Sequence, residues 1–263
     1  MVGFGPGEVF DVLTSRREVL VSLSEGGKRP ADLTTELDVS RSTIDRSIRE
    51  LEGVGFVDVV DGVAHTTLSG RMALSTYNRF VAQLNDISEA ASALEPLPPD
   101  VPFDSVMLDG CDVVAASESD GERPLERLTS LVEDAVSVRG CVVAALPSQV
   151  EVYYRRIVDD DVSAELVATE DVVERLVTAY RPQLVELCAT DSFSLRSIAS
   201  LPYGLLVVER PTGPVAVVEI YSSRTLVGVV SNDRPDAVAW ARSQIDRWWD
   251  DSLPLPISPG REE

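Results

Sequence analysis

The chain has 263 residues, a hydrophobic fraction of 44% and a formal net charge of −21, from 44 acidic and 23 basic side chains. This length favours two domains, and the acidic excess disfavours non-specific binding to nucleic acid unless a local basic patch is present. No run of eighteen apolar residues occurs and the first residues lack a signal-peptide pattern, so we expect a cytoplasmic protein without a membrane span.

The charge is unevenly distributed along the chain. Residues 1–95 hold nine basic and fifteen acidic side chains, a net charge of −6, which leaves −15 for the remainder. Lys28 is the only lysine. An acidic composition nearly free of lysine resembles that of halophilic archaeal proteins, and at about 1 M salt a Debye length of about 3 Å screens repulsion from phosphates. The N-terminal third is therefore the better candidate for DNA contact.

Three short helices are predicted near the start of the chain. Apolar residues on one face and a following glycine pair predict a helix over Ser15–Ser24, and a proline in the first turn favours a second over Pro30–Leu37. After a tight turn, Ser40 is a typical N-cap for a third helix, Arg41–Gly53, with apolar residues at i, i+4 and i+7. This order is typical of a helix-turn-helix.

A β-hairpin is predicted directly after the third helix. Phe56–Val60 and Val63–Leu68 flank Asp61-Gly62, a dipeptide favoured in two-residue hairpin turns. A hairpin in this position is the wing of a winged helix-turn-helix. We therefore assign residues 1–68 to a DNA-binding domain whose partner is double-stranded DNA.

The third helix supplies most of the predicted DNA contacts. With Ile44 at the centre of the buried face, Ser42 and Arg46 lie nearly opposite, flanked by Thr43 and Arg49. Arginine can grip guanine bidentately, and hydroxyls suit phosphates or base edges. The alternative is an ordinary surface helix with solvated arginines. The predicted DNA-contacting residues are Arg41, Ser42, Thr43, Arg46, Arg49, His65 and Arg71.

A long helix over Ser69–Leu94 is predicted next, within a segment assigned to residues 69–95. Its apolar residues recur at alternating steps of four and three, which is the pattern of a coiled-coil seam. We expect this stripe to form a homodimer; the alternative is a helix packed on its own domain. The stripe begins at Ala73, and the predicted dimer contacts are Tyr77, Phe80, Leu84, Ile87, Ala91 and Leu94.

A proline-rich linker, residues 96–102, precedes a second domain, residues 103–253, and a flexible tail, residues 254–263. Strand-like and helix-like runs alternate in this domain and then four strands follow closely, which predicts an α/β fold with a mostly parallel sheet. The predicted strands are Asp112–Ala116, Cys141–Leu146, Ala164–Ala168, Ser192–Ile198, Leu205–Glu209, Val215–Ile220 and Leu226–Val230. The predicted helices are Pro124–Val136, Ser148–Val158, Asp171–Leu187 and Pro235–Trp249.

No catalytic, metal or cofactor site is predicted. The only histidine lies in the N-terminal third, so the second domain cannot hold a Ser-His-Asp triad, and no P-loop or G-x-G-x-x-G turn occurs. Cys111, Cys141 and Cys188 lack metal-ligand spacing. They are interpreted as core thiols, with redox sensing as the alternative. An enzyme fused to a DNA-binding domain is therefore disfavoured.

Four motifs resemble archaeal winged-helix regulators of the FilR methanogenesis-regulator type. They are LDVSRSTIDRSIRELE at 37–52, VRGCVVAALP at 138–147, LPYGLLVV at 201–208 and VSNDRPDAVAWA at 230–241. The resemblance implies transcriptional regulation, with a C-terminal domain that senses or relays a signal. The C-terminal order of elements is also similar to half of a phospholipase-D-like fold, but the His and Lys of its catalytic motif are absent there.

These features favour a sequence-specific, homodimeric regulator whose second domain binds an effector. The alternative is a constitutive architectural or partner-binding protein without a small-molecule effector. Ligands of α/β sheets usually bind beyond the C-terminal strand ends, so residues there are candidates, with simple helix caps as the alternative reading. The predicted effector residues are Ser148, Thr169, Glu170, Tyr203, Asn232 and Asp233.

Overall fold

The computed structural model describes residues 5–117 and 120–255. The chain divides into two compact units between Ala82 and Gln83. Each unit has its own core, and each is described by itself. Most of the predicted tail, from residue 256 onwards, lies outside the described residues. No helix in the described ranges is long and apolar enough to cross a membrane.

The smaller unit contains four short helices, a hairpin and the start of a long helix. These elements are α1 (Pro6–Ser15), α2 (Arg17–Ser24), α3 (Pro30–Leu37), α4 (Arg41–Gly53), β1 (Val57–Val60), β2 (Val63–Thr66) and α5 (Leu68–Leu94). The predicted bounds of α3 and α4 are confirmed. Asp38 takes a left-handed conformation after α3, with φ of 53°, and Ser40 caps α4 by accepting a hydrogen bond from Thr43 N at 3.2 Å.

The first predicted helix, Ser15–Ser24, was wrong in extent. The chain forms α1 before it, and α2 begins only at Arg17. Pro6 occupies the first turn of α1, and Glu8 accepts a hydrogen bond from Gly5 N at 3.0 Å, which closes its N-terminus. The weak apolar pattern of this segment concealed a helix that buries only Leu13.

The core of the smaller unit lies between α2, α3 and α4. The i, i+4, i+7 residues of α4, namely Ile44, Ile48 and Leu51, are all buried in it, as the spacing predicts. The hairpin is joined to this core by an antiparallel bridge between Lys28 and Ala64, with two backbone hydrogen bonds of 2.9 and 3.0 Å. Both turn residues of the hairpin have positive φ, as a type I′ turn requires.

The larger unit contains an eight-stranded sheet covered on both faces. Its strands are β3 (Asp112–Ala115), β4 (Ser137–Val142), β5 (Ser163–Thr169), β6 (Phe193–Ile198), β7 (Gly204–Glu209), β8 (Val215–Ser222), β9 (Thr225–Asn232) and β10 (Leu253–Pro254). Its helices are a short 3-10 helix (Ser105–Met107), α6 (Arg123–Glu133), α7 (Pro147–Val158), α8 (Glu170–Ala179), α9 (Arg181–Cys188) and α10 (Pro235–Asp251). The prediction of an α/β unit with a large sheet is confirmed.

The expectation of a mostly parallel sheet was wrong. The strand order is β10-β6-β5-β4-β7-β8-β9-β3, and only the β4–β5 and β5–β6 pairs are parallel. Strands β7, β8 and β9 follow each other through short turns, which join antiparallel neighbours, whereas parallel neighbours need a crossover. The sheet is therefore mixed, with a parallel part where helices intervene and an antiparallel part where they do not.

Two predicted elements of the larger unit were misplaced. The strand expected at Cys141–Leu146 runs instead over Ser137–Val142. Gly140, which the prediction left outside the strand, pairs within it, and an added Cβ at this position would lie 2.3 Å from Leu205 O. The helix expected at Asp171–Leu187 is broken into α8 and α9. Pro182 lies in the first turn of α9, where its missing N–H and its restriction of the preceding residue favour a helix start.

The sheet has a core on each face. On one face, α10 and the C-terminal end of α5 pack over β7, β8 and β9. On the other, α6 packs over β9 and β3, α8 and α9 pack over β5 and β6, and α7 lies between α6 and α9. Inward residues alternate along β8, so that Val218 joins the first core and Val217 the second.

Candidate functional site

Helix α4 presents an arginine-bearing face away from its buried residues. Ile44 is 0% exposed, whereas the Arg46 side chain is 71% exposed. Ser42 and Arg49 are also exposed, so the side chains that the helical geometry placed opposite Ile44 lie on the surface. This face is the candidate nucleic-acid interface.

Arg46 is engaged in an ion-pair network that the sequence did not reveal. Its Nε lies 2.8 Å from Glu50 Oε1, and the other carboxylate oxygen of Glu50 lies 2.7 Å from Arg16 Nε. The two arginines lower the pKa of Glu50 from 4.5 to about 2. Glu50 therefore stays ionised and offsets part of the positive charge of Arg46.

The other arginines of α4 are held differently. Arg41 Nε lies 3.5 Å from Asp45 Oδ1, and Arg49 Nε donates to the Asp45 carbonyl oxygen at 3.1 Å. Among the described residues, Arg49 has no carboxylate partner, so its charge is the least compensated on this face. Arg49 is therefore the strongest candidate for a charged contact with DNA.

The hydroxyls at the start of α4 form a local cluster. Ser40 Oγ lies 2.9 Å from Ser42 Oγ and 2.8 Å from Thr43 Oγ1. All three are exposed and surround the N-terminal end of the helix, where backbone N–H groups favour anions.

The remaining candidates, His65 and Arg71, flank the hairpin. His65 is exposed on β2, pairs in register with Asp58 and lies against Gly27, where an added Cβ would be 2.1 Å from the imidazole. Arg71 donates to Thr66 O at 3.3 Å. The exposed Asp58 places a negative charge on the hairpin beside the imidazole.

The predicted dimer stripe on α5 is exposed along its middle. Phe80, Leu84 and Ile87 are 46%, 49% and 39% exposed, which is unusual for large apolar side chains in one row. At one end Tyr77 is partly buried in the core of the smaller unit, and at the other Leu94 packs on the core of the larger unit. Ala73 is partly buried and Ala91 is exposed.

The effector candidates do not share one environment. Thr169 lines a cavity of about 280 Å³ at the C-terminal ends of β4 and β5, together with Arg175 and Arg224. Tyr203 and Asn232 use their polar atoms inside the core: Tyr203 OH donates to Pro102 O, and Asn232 Nδ2 donates to Met107 O and Asp109 O at 3.1 and 3.0 Å. Exposed positions are occupied by Ser148, Glu170 and Asp233.

The three cysteines are free thiols. Burial raises the pKa of Cys111 to about 11 and that of Cys141 to about 12, and it also raises the pKa of Cys188. Raised pKa values leave little reactive thiolate at neutral pH. Within the described ranges, no group of His, Cys, Asp and Glu side chains has the arrangement of a metal site.

Two family profiles match parts of the chain. Residues 122–251 match the family profile described as the middle domain of the methanogenesis regulatory protein FilR1. Residues 10–89 match a second profile, described as the HVO_A0261 N-terminal domain. No curated protein matches the chain.

The likenesses to solved structures are remote. TrmBL2, described as an archaeal chromatin protein with a novel mode of DNA binding, is 13% identical, covers 95% of this chain and 100% of its own, and has a TM-score of 0.44. NucT from Helicobacter pylori is 8% identical over 55% and 98%, with a TM-score of 0.43. The phospholipase D family member Nuc from Salmonella typhimurium is 12% identical over 56% and 99%, with a TM-score of 0.42. At these values the likenesses carry no inference about function.

Proposed function

We propose that this protein is a transcriptional regulator that binds specific DNA sequences as a homodimer. Its first third would act as a winged helix-turn-helix, and its α/β unit would sense a signal. The observation that carries this proposal is the face of α4. A capped helix after a tight turn, with a hairpin behind it, exposes Ser42, Arg46 and Arg49 opposite a fully buried core.

The charge of the protein is compatible with this role. The first 95 residues carry a net charge of only −6 against −21 for the chain, and three arginines lie on one helix. Arginine on an exposed helix can contact guanine in the major groove, and the hydroxyls at the helix start suit a phosphate. Molar salt would screen the remaining repulsion.

The regulatory role is supported by the larger unit. Its match to the middle domain of a methanogenesis regulatory protein covers six of the eight strands, β4 to β9, and helices α6 to α10. We propose that this unit reports a signal to the DNA-binding unit. Of the six effector candidates, Thr169 is the one that lines the cavity at the C-terminal strand ends and is retained as the candidate there.

The proposal is tested first by mapping the DNA bound by the full chain at molar KCl and then by measuring affinity for the recovered sites. Replacement of both Arg46 and Arg49 by Ala should weaken specific binding by about fivefold to 150-fold per contact, since each good base contact contributes about 1–3 kcal/mol. Arg123→Ala is the control, because this arginine is 59% exposed in the larger unit and lies outside both cavities described for it. Unchanged affinity in the double variant would remove α4 from the proposed interface.

The mapping also separates this function from an architectural one. A specific regulator should recover a small set of related sites, whereas an architectural protein should recover DNA with little sequence preference. Uniform recovery across the genome would therefore contradict the proposed specificity.

A further inference from the structure

The larger unit contains a second, mainly apolar cavity that the predicted effector residues do not reach. It has a volume of about 60 Å³ and lies between the sheet and helices α7, α8 and α9. Tyr180 and Gln183, both partly exposed at the break between α8 and α9, line its outer side. Its apolar wall includes Val142, Leu166, Leu176, Leu184, Phe193 and Leu195.

One side of this cavity is polar and incompletely hydrogen-bonded. Gln149 and Glu219 line it and are 8% and 1% exposed. Among the described atoms, Gln149 Nε2 and Tyr153 OH are buried and make no hydrogen bond of ordinary geometry, although the Gln149 side chain lies near Tyr221 OH and partly offsets the rise in the pKa of that phenol. A buried polar group left unsatisfied costs about 1–3 kcal/mol, so two such donors beside one cavity require an explanation.

The buried side chain of Glu219 occupies space that a side chain on the neighbouring strand would otherwise fill. Tyr221 OH donates to Glu219 Oε2 at 2.7 Å, and a Cβ added to Gly204 would lie only 2.7 Å from the same oxygen. Strand β7 therefore keeps a glycine opposite this carboxyl group. Burial raises the pKa of Glu219 to about 7. A valine or leucine at position 219 would avoid this desolvation, which argues that the polar side serves a purpose other than packing.

We propose that this cavity binds a small uncharged molecule with an apolar body and an oxygen atom that accepts hydrogen bonds from Gln149 and Tyr153. The volume corresponds to a ligand portion of about five heavy atoms, because a water needs about 10–15 Å³ on the same measure. The binding of this molecule in the cavity does not depend on the proposed function; only the claim that the bound molecule regulates DNA binding rests on it.

The charge of the ligand follows from the lining residues. Glu219 repels an anionic head group, and no arginine or lysine lines the cavity. A cationic head group would be attracted to Glu219 only while that carboxyl group is ionised, and it would offer no acceptor to Gln149 Nε2 or to Tyr153 OH. A carbonyl oxygen satisfies both free donors and brings no charge into an apolar site.

A matched series of probes tests this assignment on the full chain. Isobutyramide, isobutylammonium and isobutyrate share one apolar body and differ in charge, and their binding can be measured by calorimetry and by shifts of methyl resonances. We expect isobutyramide to bind at least tenfold more tightly than either ion. The proposal is overturned if the three probes bind with equal affinity or if either ion binds more tightly than the amide. It is also overturned if the amide does not bind at about 50 mM, a concentration at which even a very weak ligand is detected.

Two variants locate the bound probe. Gln149→Leu and Tyr153→Phe should each weaken isobutyramide binding by about tenfold, since each removes one hydrogen bond to the ligand. Tyr154→Phe is the matched control, because the neighbouring Tyr154 OH donates to Glu186 and does not line the cavity. Without ligand, the first two variants should melt at the same or a higher temperature, because each removes an unsatisfied buried group. A purely structural role predicts a lower melting temperature and no change in binding.

The competing site is the cavity lined by Thr169. Binding that survives both variants but is lost in Thr169→Val would assign the probe there and overturn the proposal. DNA affinity is measured separately on the same preparations. Amide binding without specific DNA binding would support the ligand site and contradict the proposed regulatory function. Specific DNA binding without amide binding would support the proposed function and contradict the ligand site.

Discussion

Glu219 shows at the scale of one residue how burial makes stability depend on pH. Its pKa rises from 4.5 to about 7 in the folded chain, chiefly through desolvation. Between these values the folded state holds a proton that the unfolded state has lost. The stability associated with Glu219 is therefore fully present below about pH 4.5 and is lost as the pH rises through 7. The phenols of Tyr153 and Tyr221 face this carboxyl group and have raised pKa values, so they stay neutral in this range.

Replacement of Glu219 by Gln should flatten this pH dependence. A pKa shift of this size corresponds to about 3 kcal/mol. On account of Glu219 alone, the free energy of unfolding of the wild-type chain should therefore be lower by this amount at pH 8 than at pH 4.5. Urea unfolding at fixed KCl between pH 5 and 8.5 measures the difference. Glu170→Gln, at an exposed position, serves as the control and should keep the wild-type slope. The same slope in the Glu219 variant would contradict the burial argument.

A second residue-scale prediction concerns Glu50, which binds Arg16 and Arg46 at once. Glu50→Gln should release both guanidinium groups and increase DNA affinity several-fold beyond the effect of one removed charge. Glu52→Gln is the control, since Glu52 lies exposed on the same helix and carries the same charge. Affinities for recovered DNA sites at two salt concentrations give the comparison. Equal gains in the two variants would show that only net charge matters.

The sequence is informative about single residues when the cause is local. Ser40 and Ile44 are predictable because a cap and a helical face depend on neighbours within one or two turns. The Arg16–Glu50 pair joins residues 34 positions apart and has no local signal. Glu219 did leave a signal that was overlooked, because an acidic residue inside the apolar run VAVVEIYS is expected to be buried when that run forms a central strand.

At the scale of elements, α5 determines the proposed assembly. Its exposed row of Phe80, Leu84 and Ile87 would be buried if two copies of the helix paired along their seams. Replacement of Phe80 and Leu84 by Asp would place charges in that interface and should yield monomers by light scattering, with weaker DNA binding. Met72→Asp is the matched control, because Met72 is exposed on the same helix but outside the stripe. A double variant that remains dimeric would place the interface elsewhere.

Elements were predictable where one segment determines its own structure. The bounds of α3, α4 and α5 follow from proline, cap and periodicity within the segment. Strand direction depends instead on which neighbours pair, and the sequence does not show that β7 lies beside β4 and not beside β6. The prediction of a mostly parallel sheet was therefore wrong for the strands that are joined by short turns, because no crossover helix separates them.

At the scale of the whole molecule, the charge of −21 predicts that salt stabilises the fold. Even if all 23 basic side chains were paired, 21 carboxylates would remain without partners. Exposed ion pairs contribute about 0–1 kcal/mol and are screened together with the repulsion, so repulsion is the larger effect that salt removes. The Debye length shortens from about 10 Å at 0.1 M to about 3 Å at 1 M. The melting temperature should therefore rise steeply over this range of KCl.

Charge neutralisation separates this screening from the general stabilisation of burial by concentrated salt. Asp159 and Asp161 are exposed at the C-terminal end of α7, where negative charge also opposes the helix dipole. Replacing both with Asn should raise the melting temperature at 0.1 M KCl and reduce the gain on going to 1 M. Glu36→Gln should lower the melting temperature at low salt, because Glu36 lies 2.8 Å from Lys28 and its loss leaves that cation only the longer contact of 3.3 Å with Glu25. An unchanged salt dependence in the double Asn variant would show that excluded-solute effects, and not carboxylate repulsion, govern the response of this chain to salt.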